Sequence, residues 1–201
     1  MTSAFPSFLR RAWKEVRALA LPMIAVLAAK SSFGTVNYVP SGSMSPTILV
    51  GDAVIVNNLA YSLRVPFTFT SLARWKTPAH GDIVVCFEPG DGTRLVKRVI
   101  GLPGDVVELR DDHLWLNGQS QEVGPYVTIP AIAAWRNFGP VTVPEGQYFL
   151  MGDNRDNSKD SRYFGCVPLD QVIGRAQYVL LSADPSHYLL PRSGRFFSPL
   201  N

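Results

Sequence analysis

The sequence is poor in charge and in the residues that most often bind metals or form crosslinks. Only 17% of its 201 residues are Asp, Glu, Lys or Arg, and it contains two cysteines and three histidines. With 46% apolar residues, this composition excludes a disordered chain, and its 16 glycines and 16 prolines exclude a coiled coil or a collagen-like repeat. We therefore expect a turn-rich globular fold with one main domain and a short appendage.

The few histidines and cysteines follow no spacing that is typical of catalysis or metal binding. His80, His113 and His187 lie outside any pattern such as His-Glu-x-x-His, so we predict no metal and no cofactor, and Cys-His catalysis is disfavoured. Cys86 and Cys166 leave a disulfide open, because sequence spacing does not show whether their Cα atoms approach within about 7 Å.

Positive charge is concentrated at the amino end of the chain. The formal net charge is +3, but five basic residues and one acid put +4 into the first thirty residues, which leaves −1 for the remaining 171. Nucleic-acid binders carry their basic residues on the folded body, so we expect no nucleic-acid partner. Basic residues beside an apolar stretch instead indicate a membrane-proximal stem.

The stem has the dimensions of a membrane span. Residues 18–35 contain a single charge, Lys30, and a helix of this length rises about 27 Å, close to the roughly 30 Å hydrocarbon layer. By the positive-inside rule, we predict a cytoplasmic basic tail over residues 1–17, one transmembrane helix over residues 18–36, and an extracytoplasmic domain over residues 37–201.

Two other interpretations of the stem stay open. A cleaved export signal is compatible with the apolar stretch of twelve residues at 18–29, which is short for a span and is followed by small residues. A buried core helix is compatible with the apolar composition but does not explain the flanking charge.

Beyond residue 36, short β-branched runs alternate with clusters of Gly, Pro, Asn and Asp. This spacing is typical of a mostly β, antiparallel domain. Asn117-Gly118 predicts a tight hairpin that pairs residues 113–116 with the residues after Ser120. Residues 58–63 and 132–135 are predicted to form at most short helical turns, and the last fifteen residues a loosely ordered tail. The predicted strands are 53–56, 82–87, 95–100, 106–110, 113–116, 141–143, 148–151 and 172–181.

Three segments are dense in polar residues and glycine: Pro40 to Thr47, Lys97 to Asp105, and Gly152 to Arg162. Each alone is typical of a turn. Together they resemble the boxes of bacterial type I signal peptidases (leader peptidases): Ser-Gly-Ser-Met-x-Pro-Thr, Lys-Arg-x-x-Gly-x-Pro-Gly-Asp, and Gly-Asp-Asn-Arg-Asp-Asn-Ser-x-Asp-Ser-Arg. The boxes occur in family order, and the resemblance spans roughly residues 15 to 180. His80-Gly81-Asp82 is similar to a further box that the family usually begins with Arg.

The resemblance implies a barrel-like or sheet-type β catalytic domain behind one membrane helix. It also implies a serine endopeptidase of the inner (cytoplasmic) membrane that cleaves signal peptides after small residues, in the pattern Ala-x-Ala. The implied partners are preprotein signal peptides, the phospholipid membrane and the protein export machinery. Two alternatives remain: a specialised conjugation-system or pilin-processing relative, and an inactive scaffold that binds signal peptides.

Residue by residue, the resemblance assigns a Ser-Lys dyad. Ser43 matches the nucleophile and Lys97 the general base. At the ordinary lysine pKa of about 10.4, under about one amine in a hundred is neutral at neutral pH, so Lys97 has to lose hydration. The Ser43 backbone N–H and the Ser41 hydroxyl match the oxyanion hole.

Further positions match residues around the dyad. Ser158 matches a serine that orients the lysine, and Asp160, Arg162 and Arg98 match an ion-pair scaffold, with Asp153 holding the Gly-Asp-Asn loop. The residues that match the family's substrate pockets are Val39, Met44, Ile48 and Val96. An apolar surface predicted to dip into the lipid interface, or else to form core, comprises Tyr61, Leu63, Val65, Phe67, Phe69, Leu72 and Trp75.

Overall fold

The fold is built from antiparallel β-strands. The computed structural model describes residues 13–20, 22–23, 34–65, 68, 70–128 and 136–200. The strands are β1 (Gly34–Tyr38), β2 (Asp52–Asn57), β3 (Ser62–Arg64), β4 (Ser71–Arg74), β5 (Ile83–Phe87), β6 (Arg94–Gly101), β7 (Val106–Arg110), β8 (His113–Leu116), β9 (Gln119–Ser120), β10 (Phe138–Thr142), β11 (Gln147–Met151), β12 (Val167–Pro168), β13 (Val172–Asp184), β14 (Leu190–Pro191) and β15 (Ser198–Pro199). The prediction of a mostly β, antiparallel domain is confirmed.

Helical structure is limited in the described part of the chain. Residues 13–20 and 22–23 are helical, and a short α-helix covers Ser161–Phe164. Single 3-10 turns lie at Arg155–Asn157, Leu169–Gln171 and Pro185–His187. Among these described residues, no helix combines the length and the apolar character that crossing a bilayer requires.

The carboxyl end of the predicted membrane span is wrong. Residues 34–36 belong to β1, which pairs antiparallel with β2 from Gly34 opposite Asn57 to Tyr38 opposite Ala53. A helix cannot continue to residue 36, because the backbone there is extended and hydrogen-bonded to β2. Most of the remaining predicted span, including residues 24–33, lies outside the described residues.

All eight predicted strands are present, with ends shifted by at most three residues. The predicted hairpin is also confirmed, but Leu116 pairs with Gln119, two residues before the expected start of the partner strand after Ser120. The cause is a two-residue loop in which Asn117 and Gly118 both have positive φ, +55° and +77°, which matches the twist of the flanking strands. Residues 58–61 form turns, but β3 begins at Ser62, and the predicted turn at 132–135 lies outside the described residues.

Most strands join one sheet in the order β1-β2-β13-β5-β6-β11-β12, with β14 and β15 added to β13. Across the described residues this sheet has free edges at β1 and β12, so it is open rather than closed as a barrel. A second sheet has the order β10-β7-β8-β9, and β3 pairs with β4 alone. Strand β6 therefore joins the middle of the large sheet, between β5 and β11.

Three apolar clusters hold the sheets together, and β5 contributes to two of them. Ile83 and Val85 pack in one cluster with Met44 and Ile48, whereas Val84 and Cys86 pack in another. The third cluster fills the space between β7, β8 and β11. Because alternate residues of β5 are buried on opposite faces, this strand reads as a continuous apolar run.

The carboxyl-terminal residues are not a loose tail, contrary to the prediction. β14 and β15 both pair with β13, and Leu200 packs in the same apolar cluster as Val54. Arg195 Nη2 donates to Asp52 Oδ2 at 2.6 Å and to the Thr47 carbonyl at 2.9 Å. The sequence analysis predicted a loose tail because the prolines and glycine of this segment favour irregular structure. Local sequence does not show that the segment pairs with the distant strand β13.

Replacing Arg195 by methionine should lower the free energy of unfolding by about 1–3 kcal/mol, since it removes a charged hydrogen bond to a carboxylate with no exposed surface. Urea unfolding of the purified full chain in detergent measures this change. Arg110→Met, which disturbs an ion pair at the surface, is the matched control and should cost much less. Equal effects of the two substitutions would contradict a stabilising role for the Arg195 contact.

Candidate active site

The fold brings the side chains of Ser43 and Lys97 into contact. Ser43 lies in the turn between β1 and β2, and Lys97 lies in β6, opposite Val84 of β5. Lys97 Nζ is 2.9 Å from Ser43 Oγ, although the two residues are 54 positions apart in the sequence. An amine at hydrogen-bond distance from a hydroxyl is the arrangement that a serine nucleophile with a lysine base requires.

Lys97 is buried, with 2% of its surface exposed. Its amine also donates to the carbonyl of the preceding residue, Val96, at 3.1 Å. Desolvation lowers the pKa of Lys97 below its ordinary value, and the negative charge of Asp160 opposes part of that effect. The neutral amine is the form that can accept a proton, so burial raises the fraction of Lys97 that can act as a base.

The turn that carries Ser43 is held by backbone and side-chain hydrogen bonds. Ser45 N donates to the Gly42 carbonyl at 3.1 Å, which closes the turn. Asn154 N donates to the Ser43 carbonyl at 3.0 Å, and Asn154 Nδ2 donates to the Gly42 carbonyl at 3.1 Å. Asn154 belongs to the third box, but sequence reasoning assigned it no role; its position in that string was the available signal.

The two serine hydroxyls of the Ser-Gly-Ser turn lie near each other. Ser41 Oγ and Ser43 Oγ are 3.5 Å apart, and Ser41 is exposed. A hydroxyl beside the nucleophile is within reach of an oxygen bound to the attacked carbon.

Ser158 does not make the contact that the resemblance implied. Its hydroxyl is buried, yet it has no hydrogen-bond partner in the described structure. The hydrogen bonds of the Lys97 amine go to Ser43 and to the Val96 carbonyl. The predicted contact between Ser158 and Lys97 is therefore not made in this structure.

The predicted ion-pair scaffold is two separate pairs rather than one group. Arg98 forms a two-point contact with Asp153, through Nε and Nη2 at 2.8 Å each. Arg162 forms a similar contact with Asp160, at 2.9 Å for both nitrogens. All four residues are buried. Asp153 also accepts from the Thr47 hydroxyl, so this pair supports the turn that follows Ser43.

A cleft of about 450 Å³ opens beside Ser43 and Lys97. Of the four predicted pocket residues, Val39, Met44 and Val96 line it. Ile48 does not: it is completely buried and lies in the apolar cluster with Met44. The full lining is Asn37, Tyr38, Val39, Pro40, Ser41, Ser43, Met44, Val85, Thr93, Arg94, Leu95, Val96 and Lys97.

Neither thiol is part of this site. Cys86 and Cys166 are both free rather than bridged. Burial raises the pKa of Cys86 to about 12, so its thiol stays protonated and unreactive at neutral pH. Within the described ranges, no group of three or more His, Cys, Asp and Glu side chains is placed to hold a metal ion.

The sequence matches the family model for signal peptidase, peptidase S26, over residues 12–181. This chain belongs to that family. The matched range contains both members of the Ser43–Lys97 contact, both buried ion pairs and the whole cleft lining.

Named signal peptidases are similar to this chain over most of its length. A probable signal peptidase I-2 from Synechocystis is 34% identical over 172 residues, which cover 82% of this chain and 71% of that one. A signal peptidase I from Pseudomonas fluorescens is 33% identical and covers 86% and 74%. A solved signal peptidase I from Enterococcus faecalis is 38% identical and covers 50% of this chain and 97% of the other, with a TM-score of 0.39.

The surface that was predicted to meet lipid is only partly exposed in this signal peptidase. Tyr61 is core: it is 4% exposed, and its hydroxyl donates to Asp82. Leu72 and Trp75 are exposed, Leu63 and Val65 are half-buried, and residues 67 and 69 lie outside the described part.

Gly152 provides a test of how tightly the site of this signal peptidase is packed. A β-carbon at this position would overlap both Ser158 Oγ and the Ser43 carbonyl. Gly152→Ala should therefore displace the Ser43 turn, destabilise the protein by about 1–3 kcal/mol and lower kcat about 100-fold. Steady-state cleavage and urea unfolding measure the two effects.

Gly90→Ala is the matched control, because Gly90 lies in an exposed turn with φ of +109° and has open space around its Cα. It should cost stability without changing kcat. If Gly152→Ala kept the parent kcat, the close packing against Ser43 would have no catalytic consequence.

Proposed function

We propose that this chain is a membrane-anchored serine endopeptidase that removes signal peptides from exported preproteins, with Ser43 as nucleophile and Lys97 as general base. The observation that carries the proposal is a lysine that is only 2% exposed and whose Nζ lies 2.9 Å from a serine hydroxyl. Relatives named signal peptidase I at 33–34% identity support the reaction and its substrate class.

In the first step, neutral Lys97 accepts the Ser43 proton while Oγ attacks the carbonyl carbon of the scissile bond. The resulting tetrahedral intermediate collapses as Lys97 returns the proton to the leaving amine, which leaves an ester on Ser43. A water molecule then loses a proton to Lys97 and attacks the ester. Collapse of the second intermediate breaks the bond to Oγ, which takes the proton back from Lys97.

The oxygen of each intermediate carries a developing negative charge that needs donors. In this proposal the Ser43 backbone N–H and the Ser41 hydroxyl supply them. The exposed position of Ser41, 3.5 Å from the nucleophile, supports its part. Asn154, which bonds to both Gly42 and Ser43, acts as a positioning residue for this turn.

The cleft favours small apolar side chains next to the cut. Its walls near Ser43 include Val39 and Met44, which are only 4% and 1% exposed, so little apolar surface is open there to contact a large side chain. Ile48 packs with both of these residues in the buried apolar cluster. Substrates with alanine immediately before the cut and two residues earlier therefore fit this proposal.

The membrane part of the proposal rests on an apolar face beside the cleft. Two rows of paired residues run across β1, β2 and β13. One row is Val36, Ile55 and Tyr178, and the other is Tyr38, Ala53 and Leu181. Val36, Tyr38, Tyr178 and Leu181 are 42–59% exposed. We place this face toward the outer surface of the inner membrane, with the chain's amino terminus in the cytoplasm.

The test is cleavage of a purified preprotein whose signal ends in Ala-x-Ala. The full chain in detergent should release a mature protein whose new amino terminus follows the second alanine. Ser43→Ala should give no product. A substrate in which both alanines are replaced by a larger residue such as Leu should not be cleaved by the parent enzyme. Cleavage by Ser43→Ala at the parent rate would overturn the proposal.

The pH dependence of cleavage should follow the lowered pKa of Lys97. Since only the neutral amine accepts a proton, kcat/KM should rise as the pH increases through that pKa and level off above it. Because burial lowers the pKa of Lys97, the rise should level off at a lower pH than it would for an ordinary lysine, whose pKa is about 10.4. A rate that climbed about tenfold per pH unit up to about pH 9 and levelled off only above about 10.4 would mean that Lys97 is hydrated and has an ordinary pKa.

A further inference from the structure

The end of the cleft remote from Ser43 carries a charge that the chemistry described above does not use. Arg94, the first residue of β6, lines the cleft together with Asn37 and Tyr38 of β1. The lining residues that the structure describes include no Asp or Glu, and Lys97 acts in its neutral form in the proposed mechanism. When the enzyme is ready to react, the Arg94 guanidinium is therefore the one charged group among the described residues of the cleft wall.

The Arg94 side chain is held in place. Its Nη1 donates to Asn37 Oδ1 at 3.0 Å, and its guanidinium lies 5.6 Å from the centre of the Phe87 ring. Asn37 Nδ2 in turn donates to Thr35 Oγ1 at 3.0 Å, which orients the Asn37 amide so that its oxygen faces Arg94. These contacts fix a cation without neutralising it, since none of them involves a carboxylate.

The Arg94–Asn37 contact also joins strands that are not neighbours in the sheet. Three strands, β2, β13 and β5, separate β1 from β6. The side-chain contact between β1 and β6 therefore spans the cleft at its outer end. A peptide lying along the cleft would pass this positively charged bridge.

We propose that Arg94 is a specificity-determining residue that selects substrates for acidic, and against basic, side chains about three positions from the scissile bond. At about 3.3 Å per residue, Arg94 lies roughly 10 Å along β6 from Lys97, and an extended peptide advances at the same rate. The inference rests on the proposed function of the same cleft. It adds a charge preference to the preference for small residues next to the cut.

The expected preference is modest, because Arg94 is exposed. One exposed charge pair changes a rate or affinity by up to about fivefold. A substrate Asp is attracted to Arg94, whereas a Lys at the same position is repelled. The kcat/KM of the Asp substrate should therefore be about three to ten times that of the Lys substrate. The ratio should shrink toward one as salt is raised to 1 M.

The experiment uses peptides that contain one Ala-x-Ala cleavage site and differ by a single Asp, Lys or Gln. This residue is moved through the five positions on each side of the cut, and kcat/KM is measured with the full chain in detergent. The Asp-to-Lys ratio should peak at one position about three residues from the cut. Arg94→Glu should invert the ratio at that position and leave the other positions unchanged.

Lys76→Glu is the matched control, since Lys76 is an exposed cation outside the cleft lining. It should keep the parent ratio at every position. A flat ratio in the parent enzyme, or a ratio that Arg94→Glu and Lys76→Glu shift equally, would overturn the role of Arg94 while leaving signal-peptide cleavage intact. Failure of the parent enzyme to cut any peptide would instead overturn the proposed function.

Discussion

Replacing Lys97 by methionine is expected to lower kcat for signal-peptide cleavage by at least about 1,000-fold. Methionine has a similar length and fills the same buried space, but its thioether cannot take the proton from Ser43 Oγ, which lies 2.9 Å from the lysine nitrogen. Single-turnover cleavage of a preprotein, followed by gel electrophoresis, resolves a change of this size.

The folded state of the Lys97→Met variant should be at least as stable as that of the parent at neutral pH. Burial lowers the folded-state pKa of Lys97 below its unfolded value, so the unfolded chain binds more protons between those two values. The parent's stability therefore rises with pH in that window, and the buried amine costs stability below it. The advantage of the variant should shrink as the pH approaches 10.4.

Urea unfolding at pH 7 and pH 10 checks this second expectation. Together, the two measurements separate a catalytic loss from a folding defect. A Lys97→Met variant that is stable and cleaves at the parent rate would exclude Lys97 as the base. A variant that is inactive but also strongly destabilised at pH 7 would contradict the idea that the amine is held in a costly, desolvated position.

Replacing Asp153 by alanine is expected to reduce the free energy of unfolding by about 3–5 kcal/mol. Asp153 and Arg98 are each about 1% exposed and contact each other through two hydrogen bonds of 2.8 Å. Removal of the carboxylate leaves a buried guanidinium without a countercharge, which costs far more than the loss of an exposed pair. Urea unfolding at neutral pH measures the change.

The double variant Arg98→Met with Asp153→Leu separates the cost of an unpaired buried charge from the cost of the lost hydrogen bonds. Because it removes both charges, it should be less destabilised than the sum of the two single variants, by about 0.5–3 kcal/mol. Glu108→Ala is the control at an ion pair on the surface, with Arg110, and should change stability much less. Additive single variants would show that the two side chains act independently.

The identities of the candidate active-site residues were predictable from the sequence, but the contacts between them were not. Ser43, Lys97 and the third box were identified from strings of residues, because a family resemblance depends on order and identity alone. Which arginine pairs with which aspartate was not predictable, and Ser158 was assigned a contact with Lys97 that the fold does not make. Ile48 was placed in the pocket, whereas the turn after Ser43 carries it into the core.

Local sequence determined the strands of the β-domain and the hairpin at Asn117-Gly118, because alternation of apolar residues and the φ preferences of turn residues act over a few positions. Tertiary structure alone decided the rest. It placed an amine next to a hydroxyl 54 residues away, removed water from that amine, and paired the carboxyl-terminal strands with β13. These features depend on which distant segments pack together, and a residue's charge state depends on that packing rather than on its neighbours in the chain.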